Sequence, residues 1–159
     1  MKPRCAVVGV GYLGRFHAQK YKALHQIADF VGVCDADPAR AEQVANELGV
    51  KAFANYRELM GKVDAVTIAS TTRTHYEIAK FFLGGGVHVN VEKPMTVTIA
   101  EAEDLVEIAR AKNLKLQVGH VERFNPALIS AREKLRTPLF IECHRLAPFK
   151  PRGVDVDVV

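Results

Sequence analysis

Cys5-Ala6-Val7-Val8-Gly9-Val10-Gly11-Tyr12-Leu13-Gly14 is the stretch whose reading decides the fold. An apolar run of strand length breaks into three spaced glycines, and a helical pattern follows from Leu13 to about Ile27. In a strand–turn–helix setting the G-x-G-x-x-G spacing gives each glycine its own task. Gly9 permits the tight turn, Gly11 lets the backbone approach a pyrophosphate, and Gly14 lets the helix pack closely on the strand. A side chain at Gly11 would occupy the pyrophosphate's space and strain a positive φ. The diphosphate itself sits on the unpaired N–H groups and the positive dipole end of the helix, beside Tyr12 and Leu13. Glycine clusters also serve simple turns, so the surroundings must carry the reading.

A second apolar strand, Phe30-Val-Gly-Val-Cys34, ends in Asp35. An acidic residue about 20 positions beyond the third glycine is where the adenosine ribose hydroxyls are expected. A carboxylate there accepts two hydroxyl hydrogen bonds and repels a 2′-phosphate, which favours NAD over NADP. The sequence sets no basic residue directly beside it, and Arg40 is the nearest candidate for a 2′-phosphate. The plainer alternative is that Asp35 only opens the turn to Pro38. Asp37 and Pro38 already serve there as N-cap and first helical residue.

The chain has 159 residues, the size of one well-packed domain, and its 48% hydrophobic and 25% charged content is that of a globular protein. The net charge of +4 comes from scattered residues rather than a Lys/Arg block, which argues against a nucleic-acid surface. Cys5, Cys34 and Cys143 lack metal-ligand spacing, and two of them lie in apolar strands. They read as reduced thiols of a cytoplasmic protein, with no metal site. No apolar stretch approaches the ~18–20 residues that span a bilayer, and no signal peptide is present.

Taken in order, residues 37–48 read as a helix ended by Gly49, and 50–53 as a short strand. Asn55 and Glu58 have capping-box spacing before a brief helix. Residues 63–69 form a fourth strand; Thr74 and Glu77 suggest another capping box, on a helix ending at Gly84-Gly85-Gly86. Residues 87–91 form the fifth strand. Thr98 and Glu101 cap a helix whose Ala102, Leu105, Val106 and Ala109 share a face, and 114–118 form the sixth strand. Alternating strands and helices imply α/β architecture, a doubly wound parallel Rossmann sheet in the order 3-2-1-4-5-6. Beyond Val118 the pattern changes. Asn125-Pro126 caps a helix to about Leu135 or Arg136, 138–146 reads as a seventh strand, and 154–159 as an alternating segment. The division expected is a dinucleotide-binding domain over 1–119, then a linking helix and first strand over 120–159 of a substrate domain cut short.

The glycine fingerprint, Asp35, Glu92-Lys93-Pro94 after the fifth strand and Arg123-Phe124-Asn125-Pro126 after the sixth together resemble the Gfo/Idh/MocA oxidoreductases. The resemblance covers nearly the whole chain, and Glu-Lys-Pro is its most specific part. It implies an NAD-dependent dehydrogenase of a sugar or nucleotide-sugar hydroxyl, with Lys93 beside the nicotinamide, bonded to the substrate hydroxyl, and Pro94 in a cis peptide. An ammonium there orients the hydroxyl and stabilises charge on its oxygen as hydride leaves the adjacent carbon. Read without the resemblance, Lys93 is equally a solvated loop lysine.

The resemblance also places Ser70 and Thr71 near the cofactor's ribose or phosphates, and His75 and Glu92 near the nicotinamide ribose. His120, Arg123 and Asn125 would then face the substrate. The alternatives are polar helix-start packing for His75 and a structural ion pair for Arg123. The family's second motif, an Asp and a His four residues apart on a later helix, has no match: Asp155 and Asp157 are present, but no histidine follows Arg145. The 159 residues thus read as the cofactor-binding part of a longer enzyme, truncated before its α+β C-terminal domain, inactive alone, and oligomeric through the missing part. Residues 118–126 and 144–153 are similar to a bacterial branch that oxidises C3 of UDP-N-acetylglucosamine-type substrates for lipid A synthesis. Arg145, Lys150 and Arg152 suit its anionic diphosphate, or are simply surface charge. A second class of reading is an NAD(H) sensor without catalysis, which has no need of Lys93.

Overall fold

Along the first 119 residues apolar side chains alternate between the two faces of each strand, so a single sheet can bury both. The computed structural model of the chain describes residues 1–132, 134–144 and 146, which divide into two units, Met1–Gly119 and one beginning at His120. In the first unit β1 (Arg4–Val8), β2 (Asp29–Cys34), β3 (Lys51–Phe53), β4 (Ala65–Ile68), β5 (His88–Val91) and β6 (Leu116–Val118) pair in the order β3-β2-β1-β4-β5-β6. Every pair is parallel, as expected for a Rossmann sheet. The crossovers are α1 (Tyr12–Ala23), α2 (Pro38–Leu48), α3 (Thr72–Gly84) and α4 (Ile99–Ala111). Among the described residues no helix is long and apolar enough to cross a membrane.

One face of the sheet packs Val7 and Val33 against Ala18 of α1 and Val44 of α2. The other packs Val8, Ile68 and Val91 against Phe82 of α3 and Leu105 of α4. Phe82 is completely buried, and Phe82→Ala would cost about 3–5 kcal/mol in cavity and transfer terms.

Backbone pairing runs one residue past the strands at their carboxyl ends. The N–H groups of Gly9, Ala69, Glu92 and Gly119 donate to the carbonyls of Cys34, Val8, Ile68 and Val91 at 2.8, 2.8, 2.9 and 2.8 Å. Four loop-starting residues therefore stand level along one edge, where doubly wound sheets bind their ligands.

Several local expectations are corrected. Helix α1 stops at Ala23 rather than Ile27, and the Asn55–Glu58 capping box opens a 3₁₀ turn, Tyr56–Leu59. Helix α3 starts at Thr72, so Thr74 lies inside its first turn and bonds to the Thr71 carbonyl, while Glu77 accepts from Tyr56 and Arg57. The expected box at Thr74 and Glu77 therefore does not form. On α4 only Leu105 and Ala109 of the four expected residues are buried.

In the second unit a 3₁₀ turn, Val121–Phe124, precedes α5 (Pro126–Ala131), which is shorter than expected. None of its residues is buried, so it lacks the tertiary packing that sustains most short helices. No strand occurs among the described residues of 138–146. A strand exists only where its N–H and C=O groups find a ladder partner, and Leu139, Phe140 and Ile141 are exposed instead. The expected segment 154–159, with Arg145, Lys150, Arg152, Asp155 and Asp157, lies outside the described residues.

Candidate active site

The three glycines have different physical reasons. Gly9 has φ +86°, and a Cβ there would lie 2.5 Å from the Ser70 nitrogen. A Cβ on Gly14 would lie 1.8 Å from the Gly9 carbonyl oxygen. Both glycines let backbones meet. Gly11 has φ −65°, outside the left-handed region, and a Cβ there would meet nothing within 4 Å. The expected strain at Gly11 is thus absent, and its lack of a side chain leaves space open at the start of α1. That helix has no side-chain cap and no acidic residue in its first turn. Its first-turn donors and the roughly +0.5 charge of its dipole point outward. Tyr12 is 82% exposed and Leu13 exposed. An open cradle before uncapped donors fits a pyrophosphate.

Asp35 directly follows β2, with its side chain buried. One oxygen accepts from the Val10 N–H at 2.7 Å, the other from the Asp37 N–H at 2.9 Å and from Arg40 Nη1 at 3.2 Å. The carboxylate therefore locks the glycine loop to the end of β2. A carboxylate offers about four acceptor sites, so capacity for a ribose hydroxyl remains. The expectation that no basic group lies beside it is corrected: one helical turn of α2 brings the half-exposed Arg40 guanidinium back onto Asp35. Burial, reinforced by Asp35, pushes the neighbouring Cys34 thiol up to about 11, which keeps it protonated and inert.

Ser70 and Thr71 follow β4, against Gly9. Ser70 Oγ lies 2.8 Å from Thr74 Oγ1, and Thr71 is the N-cap residue of α3, again without a side-chain cap bond. His75 is buried. Its Nδ1 lies 3.0 Å from the Pro94 carbonyl and its Nε2 3.1 Å from the Ser70 carbonyl. Each ring nitrogen thus faces a backbone carbonyl, and the ring ties the Ser70 loop to the Pro94 turn.

After β5 comes Glu92-Lys93-Pro94. Glu92 is buried, Lys93 is exposed, and the Lys93–Pro94 peptide is cis. Glu92 turns inward: Oε1 lies 2.8 Å from His17 Nε2 of α1, and Oε2 accepts from the Lys93 N–H at 3.2 Å. One turn further along α1, the Tyr21 hydroxyl lies 2.9 Å from Thr67 Oγ1 on β4, which Asn90 on β5 also approaches at 3.4 Å. Burial raises the pKa of Tyr21, against the lowering effect of its bond to Thr67.

In the second unit His120 and Arg123 are exposed, and Arg123 makes no ion pair among the described residues. Asn125 caps α5, accepting from Ala127 at 2.9 Å and donating to Glu122 at 2.8 Å, so its side chain is committed locally.

The sequence reading missed His17, Tyr21, Thr67, Asn90 and the role of Gly119. A signal for them was present. Asn90 on β5 and Glu92 just past its end alternate with valines inside the sheet, and His17 and Tyr21 stand four apart on one face of α1.

Residues 3–120 match the oxidoreductase family Gfo/Idh/MocA, described as an NAD-binding Rossmann fold. The chain is 45% identical over 157 residues to UDP-N-acetylglucosamine 3-dehydrogenase of Acidithiobacillus ferrooxidans, covering 98% of this chain and 49% of that protein. It is 36% identical to scyllo-inositol 2-dehydrogenase (NAD(+)) of Bacillus subtilis, over 83% of this chain and 40% of the relative. A solved structure of the A. ferrooxidans enzyme superposes with a TM-score of 0.79 at 42% identity, over 84% of this chain and 43% of that one. The scyllo-inositol dehydrogenase of Lactobacillus casei, solved with NAD(H) and scyllo-inositol, gives a TM-score of 0.79 at 28% identity, over 85% of this chain and 41% of that one. The chain thus spans about half the length of the curated relatives it matches.

Proposed function

Because the chain belongs to the Gfo/Idh/MocA oxidoreductases, a family with an NAD-binding Rossmann fold, we propose that it supplies the cofactor half of a dehydrogenase of sugar or nucleotide-sugar hydroxyls. The observation that carries this reading is the open Gly11 cradle at an uncapped helix, on the same sheet edge as the exposed Lys93. Gly9, Gly11, Tyr12, Leu13 and Gly14 hold the pyrophosphate, Asp35 the adenosine ribose, and Ser70 and Thr71 border the cofactor. When bound, NAD accepts the hydride. Lys93 orients the hydroxyl through Nζ and stabilises negative charge on its oxygen. Glu92 and His75 act from beneath, by holding the turn that carries Lys93.

Residues 120–159 link this half to a substrate domain that supplies a histidine base and the oligomer contacts. His120 and Arg123 are the substrate-facing candidates; Asn125 serves the helix cap. The substrate is a UDP-N-acetylglucosamine-type sugar oxidised at C3, for lipid A synthesis in the cytoplasm. The 45% identity to a protein of that name supports this choice, as does the basic set Arg145, Lys150 and Arg152. A purely sensory role leaves the exposed Lys93 without a task.

The test is NADH formation by the whole protein with UDP-N-acetylglucosamine and with inositols. Lys93→Met should lower turnover by ~10²–10³-fold, as for removal of a donor that stabilises developing negative charge, with NAD affinity unchanged. A fully active Lys93→Met variant would sink the catalytic assignment, and preference for an inositol would sink the substrate assignment.

A further inference from the structure

The polar bond from α1 to the Glu92 carboxylate has no place in the function proposed so far. Glu92 is 6% exposed, with one oxygen on His17 Nε2 at 2.8 Å and the other on the Lys93 N–H at 3.2 Å. The carboxylate is walled in by Gly119: a Cβ there would lie 2.8 Å from its carbon and Oε1 and 2.9 Å from Oε2. Any residue but glycine would displace it. Beside it, Tyr21 and Thr67 make a second polar tie at 2.9 Å. Helix α1 lies over β1 and its neighbours β2 and β4 and buries only Gly14 and Ala18 fully, so these ties add to its apolar packing in setting how it lies. Aliphatic replacements of such pairs are often at least as stable. What the polar bonds add is a fixed position for the groups they join.

We propose that His17 is a positioning residue for Lys93. Through Glu92 it ties the backbone of the lysine turn to α1, the helix that receives the cofactor's pyrophosphate. This rests on the reading of Lys93 and α1 given above. The His17 Nε2–H donates to one carboxylate oxygen, the Lys93 N–H to the other, and Glu92 is the rigid bridge. Seating the dinucleotide on α1 and placing the lysine are then one event. A cofactor that fixes α1 fixes the turn as well, although the Lys93 amide itself bonds only inside the protein.

Two readouts test this. The first is the backbone amide of Lys93 in ¹⁵N-labelled chain, observed by NMR with and without NAD. It should shift in the parent on NAD addition. In His17→Leu it should sit at a new position and lose most of that response, with NAD affinity within threefold of the parent. His17→Gln, whose amide nitrogen can take the place of Nε2, should restore both. If His17→Leu does not fold, His17→Asn, too short to reach Glu92, takes its place. The second readout is turnover of the whole protein. His17→Leu should lower kcat at least tenfold with KM for NAD within threefold, and His17→Gln should recover it. An unchanged Lys93 amide in the leucine or asparagine variant, or failure of the glutamine variant to restore it, overturns the proposal. So does a loss of kcat, NAD affinity and melting temperature in step. Lys93→Met, run in parallel, separates the two readings. If it stays active, the catalytic reading fails; if it is inactive while His17→Leu keeps full kcat, only the positioning role fails.

Discussion

Four long helices begin at the carboxyl edge of the sheet, yet they begin in two different ways. Helices α2 and α4 are capped: the Asp37 side chain accepts from the Arg40 N–H, and Thr98 forms a full capping box with Glu101. Helices α1 and α3 start at Gly11 and Thr71 with no side-chain cap bond. The uncapped pair follows β1 and β4, the adjacent strands at which the sheet order reverses. Orphan N–H groups must find partners somewhere. Where the helix serves only the fold, the chain provides the partner itself. At the switch point it leaves the donors of α1 facing open space, where the proposed pyrophosphate would complete them. Cap chemistry thus marks the ligand end of the molecule.

The largest effect that follows is on the fold. Gly14→Val should unfold or severely destabilise the chain in thermal denaturation, because its Cβ would lie 1.8 Å from the Gly9 carbonyl oxygen. A parent-like melting temperature would show that α1 does not pack on the loop as described. Next comes Asp35→Ala, which strands the buried Val10 N–H that now donates to it at 2.7 Å. It should cost about 1–3 kcal/mol, the usual penalty for a buried unsatisfied donor. It should also narrow the preference for NAD over NADP, since Arg40 would be released to meet a 2′-phosphate. Denaturant melts and calorimetry with both cofactors report the two effects separately.

A smaller pair of changes sharpens the contrast of helix starts. Thr98→Ala should lose about 1 kcal/mol, typical of a lost N-cap, without altering NAD affinity. Thr71→Ala, with no cap bond to lose, should leave stability close to the parent's while weakening NAD binding. The reverse pattern in melting and titration would break the correspondence between caps and ligand.

The smallest effect lies at the opposite end of the strands. Arg4 pairs with Asp64 at 2.7 Å, and bonds from the Arg4 side chain and backbone hold the Asp64 carboxyl at about 2. A depressed carboxyl pKa stabilises the fold above the unfolded value of ~3.9 and loses that contribution as pH falls towards 2. Asp64→Asn should therefore flatten the parent's stability between pH 4 and 2 only slightly, because the pair is open to solvent. NAD affinity at neutral pH should not move.

The sheet order, the glycine loop and the Glu-Lys-Pro turn were legible because each depends on local pattern: a strand-length apolar run, a glycine spacing, a tripeptide. Helix starts were legible where a side chain makes the cap, at Asp37 and Thr98. They were misread at α3, where the backbone turns helical with no such marker. What stayed hidden depends on contacts far apart in sequence. The bond between His17 and Glu92 joins residues 75 apart. The His75 ring likewise faces the carbonyls of Ser70 and of Pro94, 19 residues further on. The helix expected after Asn125 is cut short, and the strand after it does not form among the described residues, for want of packing and pairing partners that no local pattern supplies.

The most direct test of the account is a calorimetric titration of NAD into the 159-residue chain and into its Gly11→Val variant, beside their thermal melts. Gly11 has an ordinary φ of −65° and free space around its Cβ position, so valine should leave the melt unchanged while filling the space before α1. Saturable one-site binding of NAD to the parent, tighter than that of NADP, is expected, with no measurable binding to the variant at an unaltered melting temperature. A Gly11→Val chain that binds NAD as tightly as its parent would contradict it.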